Sequence, residues 1–290
     1  MEMISNRNQI QKLKEYFEKR SDVVMAFVFG SQVGEKTRTM SDWDIAVYFT
    51  PGKNRVEWED QNKEYPTEDD VWNDCIEILK TDNVDLVVLN RAPISIANSA
   101  IKGNPLVIKD YRLWLEFMLI ASREAENYKE FVDDYYEISR RSVSISRQDE
   151  ECLKKTLSFL EEQIGLYGYF ADFTEKEYSN DVHKRNDVER WVENIVNASI
   201  DIAKIIVASQ KKPIPDTYKD TMKQAIWTLN LYEDFIKKLE YWIKLRNVLA
   251  HEYLDIKWKR IADFIKNSES YFGAFIKNTQ DYIERNKNYN

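Results

Sequence analysis

Val23-Val-Met-Ala-Phe-Val-Phe-Gly30-Ser31, then after ten residues Asp42-Trp-Asp-Ile45, and about forty residues later Val84-Asp-Leu-Val87, is the pattern that decides the N-terminal fold. An apolar run that ends in Gly-Ser reads as a buried strand entering a tight turn. Asp44 to Phe49 continues as a second apolar run until Thr50-Pro51-Gly52 stops it. Side chains at i and i+2 share one face of a strand, so Asp42 and Asp44 point together, while Trp43 and Ile45 read as core on the opposite face. Asp85 sits inside a third apolar run, where an uncompensated charge is costly, and on a neighbouring strand it completes a set of three carboxylates. Such a set is suited to hard divalent cations, Mg²⁺ above all, which neutralise it and clamp a triphosphate. Gly30 lets the backbone approach phosphate oxygens, and Ser31 can donate to them. Taken singly, Gly30-Ser31 is also an ordinary turn and Ser41-Asp42 an ordinary surface turn; the order and context of all four features give them weight.

Outward from this pattern, Ile10 to Phe17 is amphipathic and reads as a helix. Residues 53–70 are charged and predict a mobile loop, after which Thr67-Glu-Asp-Asp opens a helix running to about Lys80, with Thr67 as its cap. Val84 to Leu89 and Pro105 to Ile108 follow as strands, so the first domain is a β-β-α-β mixed sheet. Tyr111 to Arg141 is apolar at helical spacing, and the polar run Ser142 to Asp149 reads as a linker. The domains are therefore placed at 1–146 and 147–290, an α+β chain whose second half is an all-α bundle. Its helical segments fall near 150–170, 187–210, 217–252 and 258–286, with breaks at Thr174 to Asn180, Lys212-Pro-Ile-Pro215 and His251 to Ile256.

Composition agrees with this division. The 290 residues include only 7 Gly and 6 Pro against 32% charged side chains, a balance that favours long helices. Cys75 and Cys152 stand far apart and His is present only twice, which excludes a zinc-ligand set and predicts reduced thiols in a cytoplasmic protein. No run of about 18 apolar residues predicts a membrane span, and Met1 to Gln11 lacks the apolar core of a signal peptide. The net charge of −8 divides unevenly: residues 1–146 hold 19 basic and 26 acidic side chains, and the remainder 23 and 24. An acidic first half argues against a non-specific nucleic-acid clamp there, since phosphate binding releases counterions to clustered Lys and Arg. A nucleotide carried by metal ions tolerates it.

A second constellation lies in Leu245-Arg-Asn-Val-Leu-Ala-His-Glu-Tyr253. A neutral His251 can take the proton from an RNA 2′-hydroxyl, and Arg246 can stabilise charge on the phosphorane, with no metal needed. Five helical positions turn the two by about 140°, so they share a site only through the reach of Arg246 or a distorted last turn. Spacing alone fits a plainer role equally, with His251 at a helix C-terminus and Arg246 paired to an acid such as Asp201. His183, among Asp181, Lys184 and Arg185, reads as a surface residue.

The first pattern resembles the signature of the DNA-polymerase-β nucleotidyltransferase superfamily, over roughly residues 20–110, with one departure: small members read Gly-Ser-x-x-x-Gly, and here the second glycine is one residue early, at Gly34. That resemblance implies binding of ATP and transfer of its nucleotidyl group. Residues 150–285 resemble the HEPN helical domain of the HepT-like branch, on Asp187-Val-Glu-Arg-Trp191, Ser199-Ile-Asp-Ile-Ala203, Pro213 to Tyr218 and Arg246 to Ile256. HepT-like proteins are RNase toxins silenced by a separate nucleotidyltransferase, MntA, which transfers AMP to the Tyr of His-x-Tyr. Residues 1–140 are similar to MntA, including the helical tail Trp114 to Tyr128. The resemblance implies Arg246 and His251 as nuclease residues, Tyr253 as AMP acceptor, RNA as a partner and a homodimer through the helical domain. The rival expectations are a small-molecule nucleotidyltransferase of the aminoglycoside-modifying kind, with a structural helical domain, and a non-enzymatic assembly module.

Overall fold

The computed structural model describes residues 2–30, 42–52, 56–59, 63–141, 144–251 and 258–287, with backbone alone for 2–6, 251 and 287. The chain divides into two compact units, Met1–Lys129 and Glu130–Asn290.

The first unit is built on four strands, β1 (Val23–Phe29), β2 (Trp43–Phe49), β3 (Val84–Val88) and β4 (Asn104–Ile108), in the order β3-β2-β1-β4. β1 is antiparallel to β2 and β4, and β2 is parallel to β3, so the sheet is mixed as its sequence predicts. A parallel pair needs a crossover, and α2 (Glu68–Leu79) supplies it. On one face Trp43, Ile45, Val47 and Phe49 join Leu13 and Phe17 of α1 (Glu2–Lys19) and Val71, Cys75 and Leu79 of α2 in the core. Each such side chain contributes roughly 1.5–3 kcal/mol when fully buried. On the other face Tyr48 is buried against Phe117 of α4 (Tyr111–Arg141), ring centroids 5.0 Å apart. Asp44 shares this second face by the two-residue alternation. Beyond the end of β3, Asn90 continues the pairing with its side chain: the Phe49 N–H donates to Asn90 Oδ1 at 2.9 Å, and Asn90 Nδ2 donates to the Phe49 carbonyl at 3.0 Å.

Several sequence expectations need correcting here. Helix α1 extends back to Glu2, and α3 (Ile94–Ile101) had no counterpart among the predicted elements. Ser95, Asn98 and Ser99 lower the helix propensity of α3, which is held by burial of Ile94, Ala97, Ala100 and Ile101. Of the stretch predicted as a mobile loop, the described part is anchored. Tyr48 Oη donates to the Glu57 carbonyl at 2.9 Å and accepts from the Glu57 N–H at 2.6 Å, Lys63 pairs with Glu57 at 2.5 Å, and Tyr65 stacks on Phe49 at 4.7 Å. Thr67 does precede α2 but makes no side-chain cap; its hydroxyl donates instead to Asp22 Oδ2 at 2.5 Å.

Among its described residues the second unit contains helices and no strand. It comprises the end of α4, then α5 (Arg147–Gly165), α6 (Tyr167–Phe170), α7 (Glu175–Asn180), α8 (Val182–Ser209), α9 (Tyr218–Thr228), α10 (Glu233–His251), α11 (Trp258–Asn267) and α12 (Glu269–Lys287). Helix α8 packs on α5, α9 and α10. Trp242 is fully buried, its ring 5.5 Å from Phe264, which in turn lies 5.5 Å from Trp191.

Sequence periodicity merged helices that the structure separates. The segment near 150–170 divides at Leu166 into α5 and α6. The segment 217–252 divides because Asn230 adopts φ +55°, with the Leu231 N–H donating to Ile226 and the Asn230 N–H to Trp227, the pairing of a Schellman terminus. The segment 258–286 divides at Ser268, whose hydroxyl is taken up by the Phe264 carbonyl and Tyr167. Conversely, the predicted break at Thr174 to Asn180 holds a helix, because Thr174 and Glu177 form a reciprocal capping box. The predicted linker also ends early: Ser146 caps α5 from Arg147, and buried Asp149 pairs with Arg141.

Candidate functional site

The register of the sheet assembles the carboxylates. Asp44 lies opposite Phe29 in the antiparallel pair and directly opposite Asp85 in the parallel pair, while Asp42 immediately precedes β2. Asp42 and Asp85 are exposed and Asp44 is half-buried. Burial first, then the negative charges of Asp85 and Asp42, hold the Asp44 carboxyl above its ordinary pKa. Among the described residues no three His, Cys, Asp or Glu side chains converge tightly enough to hold a metal ion.

Gly30 lies tightly against Asp44. Its φ is +72°, and a Cβ added there would fall 1.9 Å from Asp44 Oδ2 and 2.8 Å from Asp44 Cγ. Only glycine allows both the backbone angle and the approach. Carboxylate oxygens are the donor type that hard divalent cations take, and a bare backbone beside Asp44 leaves room for a phosphate oxygen. Ser31 lies outside the described residues, as does Gly34.

In the second unit, Arg246 is held from three helices. Its Nε donates to Asn197 Oδ1 of α8 at 2.9 Å, its Nη1 donates to Asn247 Oδ1 at 3.2 Å, and its guanidinium carbon lies 5.9 Å from the centre of the Tyr218 ring of α9. Asp201 does not take Arg246 as its salt-bridge partner. Lys204 does so at 3.4 Å while also reaching Asp134 of α4 at 2.8 Å. Surrounding protein raises the Asp201 pKa, Lys204 opposes that rise, Asp134 adds to it, and Arg246 opposes it from farther off. Helix α10 remains helical through His251, so the last turn shows no break between Arg246 and His251. The His251 side chain and all of Tyr253 lie outside the described residues. His183 is exposed in the first turn of α8, its N–H capped by Asp181 at 3.0 Å. Asn197, Asn247 and Tyr218 were not singled out from the sequence. Asn197 and Asp201 sit four residues apart on one helix, a local hint of a polar stripe, but nothing in the sequence pairs it with Arg246 forty-nine positions away.

A mixed four-stranded sheet with Gly30 against Asp44, followed by a helical unit, defines the class: an α+β domain joined to an α-helical domain. Comparison with known families gives the particular assignment. Residues 11–112 match the family described as polymerase beta, nucleotidyltransferase, and residues 150–279 match ribonuclease HepT-like. The chain thus carries a polymerase beta nucleotidyltransferase domain followed by a HepT-like domain. Among solved structures it is similar to a cytosolic protein of unknown function, YutE, from Bacillus subtilis, at 19% identity and a TM-score of 0.40, over 47% of this chain and 90% of that one. No curated protein matches. Among the described residues, no helix is long and apolar enough to cross a membrane.

Proposed function

We propose that the chain is a self-contained toxin–antitoxin pair: an Mg²⁺-dependent adenylyltransferase that moves AMP from ATP to Tyr253 and so silences an RNase site at Arg246 and His251. One observation carries this reading. The Asp44–Asp85 register with Gly30 against it occurs in the same chain as Arg246-x4-His251-x-Tyr253, inside the HepT-like match. Asp42, Asp44 and Asp85 would hold Mg²⁺, which when bound neutralises the triphosphate and the developing charge at its α-phosphorus. The Tyr253 phenol oxygen forms a bond to the α-phosphorus, the bond to the bridging oxygen breaks, and pyrophosphate leaves. The phenolic proton passes to a neighbouring carboxylate and then to water. Transfer runs within one chain or between the copies of a homodimer.

The product explains the silencing. AMP on Tyr253 places bulk and a phosphodiester charge two residues from His251, where it competes for Arg246 and repels an RNA phosphate. Without AMP, neutral His251 accepts the 2′-hydroxyl proton and Arg246 stabilises the phosphorane. The test is direct. The protein is incubated with Mg²⁺ and ATP beside an Asp42→Ala/Asp44→Ala control, digested, and the Tyr253 peptide weighed. AMP on that peptide only with intact acids is the expected result. A bare Tyr253, with AMP appearing instead on an added small-molecule acceptor such as an aminoglycoside, overturns it.

A further inference from the structure

Resting on the reading of His251 as a ribonuclease residue, we propose that the outward face of α10 is the track that brings single-stranded RNA to it: Tyr241 stacks on a base, and Lys237, Lys244 and Arg260 take neighbouring phosphates. The positions of Lys237, Tyr241, Lys244, Val248 and His251 follow one another at alternating steps of four and three residues, which keeps them within about 40° to either side of Lys237 around the helix axis. Lys237 and Tyr241 are exposed and Lys244 and Val248 half-buried, while Leu239, Trp242 and Leu249 are buried on the opposite side. The register ends at position 251, the last of α10, so the stripe is about 21 Å long and leads to the proposed general base.

Two features set this stripe apart from an ordinary solvated face. A solvated helix face carries polar groups throughout, whereas here an aromatic ring lies between two lysines, one turn from each, with the residue 37% exposed. A ring flanked by cations answers both halves of a nucleotide, a π-face for the base and positive charge for the phosphate. The charge is distributed to match. The chain has a net charge of −8, yet α10 and α11 together carry 7 basic and 4 acidic side chains, and beyond Glu240 α10 holds no acid. Helix α11 packs on α10 and brings the charges of Asp263 and Arg260 within electrostatic reach of Tyr241; Asp263 Oδ1 is taken by Asn267 at 2.7 Å. Neither Lys237 nor Arg260 forms an ion pair among the described residues, while Arg141, Lys154 and Lys184 of the same unit are each held by an acid. A paired cation must release its acid before it meets a phosphate, and these two need not.

The experiment uses the full chain carrying Asp42→Ala/Asp44→Ala, which stays free of AMP, as the parent, with His251→Ala added for binding so that the RNA survives. Binding of a fluorescein-labelled single-stranded RNA of mixed sequence is followed by anisotropy over a range of salt. Tyr241→Ala should raise Kd about tenfold, the loss of one stacked base, and leave the salt dependence unchanged, while Tyr241→Phe should bind as the parent does. Lys237→Gln and Arg260→Gln should each lower the slope of log Kd against log salt by about 0.7, one phosphate contact on a single strand. Lys155→Gln, the same change of charge at an exposed position of α5, should leave the slope as it was. A substitution that only loosened the helix would not separate stacking from salt dependence in this way. If the variants of the stripe bind no differently from Lys155→Gln, the proposal fails, and cleavage by the parent with His251 intact shows that the ribonuclease reading stands. A dimer that dissociates in Tyr241→Ala with RNA binding unchanged gives the face to a second copy of the chain and overturns the proposal equally. If the parent with His251 intact cleaves no RNA, the ribonuclease reading fails and takes the proposal with it.

Discussion

The two sites are built by opposite means. In the first unit, backbone pairing does the placing: once β2 and β3 are in register, Asp44 and Asp85 must be neighbours, and Gly30, directly after β1, is set against Asp44. In the second unit, no backbone ladder joins the helices that meet at Arg246, and its geometry rests on side chains from α8, α9 and α10. A sheet-built site tolerates repacking of its surroundings but not a shift of register, which would move every side chain to the wrong face. A side-chain-built site fails one contact at a time.

The largest expected effect tests the sheet-built site. Asp44→Ala removes the carboxylate central to the trio and should lower nucleotidyl transfer by roughly a thousandfold or more, the scale of several kcal/mol of lost charge stabilisation. Release of pyrophosphate from ATP measures it. Residual transfer within tenfold of the native rate would mean that the register pair is not the catalytic centre. Next in size is Gly30→Ala. The positive φ costs about 1–2 kcal/mol with any Cβ, and the added methyl would meet Asp44 Oδ2 at 1.9 Å. Both stability of the first unit and transfer should fall together, by roughly a hundredfold for the latter if Asp44 is displaced as far as relief of the clash demands. Undiminished transfer would show that residue 30 can shift without displacing the acid.

The side-chain-built site should respond more gently. Arg246→Lys keeps the charge but cannot bond Asn197 and Asn247 from one planar group, so RNA cleavage should drop about tenfold to a hundredfold rather than vanish. Cleavage equal to the native level would show that charge alone suffices. In cells, growth arrest by an Asp44→Ala chain, relieved by adding His251→Ala, would tie the two sites to a single function.

The same contrast explains what was legible in the sequence. Strand alternation is local, so Asp42, Asp44 and Asp85, with Trp43 and Ile45 on the core face, could be read from spacing and apolar context. The Thr174-x-x-Glu177 capping box is equally local and was legible in principle, but its short helix lies in a polar stretch that reads as a break. Asn197 was not legible, because its meaning depends on which turn of α8 faces α10, a matter of three-dimensional packing. Nor was the anchoring of Glu57, since a charged stretch looks solvated until the buried Tyr48 hydroxyl is seen to need both of its backbone groups. The merged helices share one cause: Asn230 and Ser268 end helices through backbone geometry and side-chain bonding that hydrophobic periodicity does not register.

The smallest effect asks whether the two units can be treated apart at all. Asp22, just before β1, accepts from Arg20 Nε at 2.9 Å and Nη2 at 2.7 Å, and its carbonyl accepts the Thr50 N–H at 2.8 Å, so it clips the end of the β1–β2 pair far from the acids. The Arg20 bonds are the chief cause of a pKa lowered from 3.8 to about 2, with Thr67 adding to them and partial burial opposing them. A folded value below the unfolded one means that the contribution is complete above 3.8 and disappears as pH falls through about 2. Arg20→Gln lacks the part due to Arg20, the larger one, at every pH. The gap in β1 amide protection between the native chain and Arg20→Gln should therefore be widest above 3.8 and close by about 2. The pair is partly solvated, which keeps this gap small. Amides of α8 serve as the internal control. If they keep equal protection in both chains while those of β1 diverge, each unit carries its own stability. If α8 follows β1 step for step, the units unfold as one, and a disturbance of the sheet-built site would reach Arg246 without any AMP being transferred.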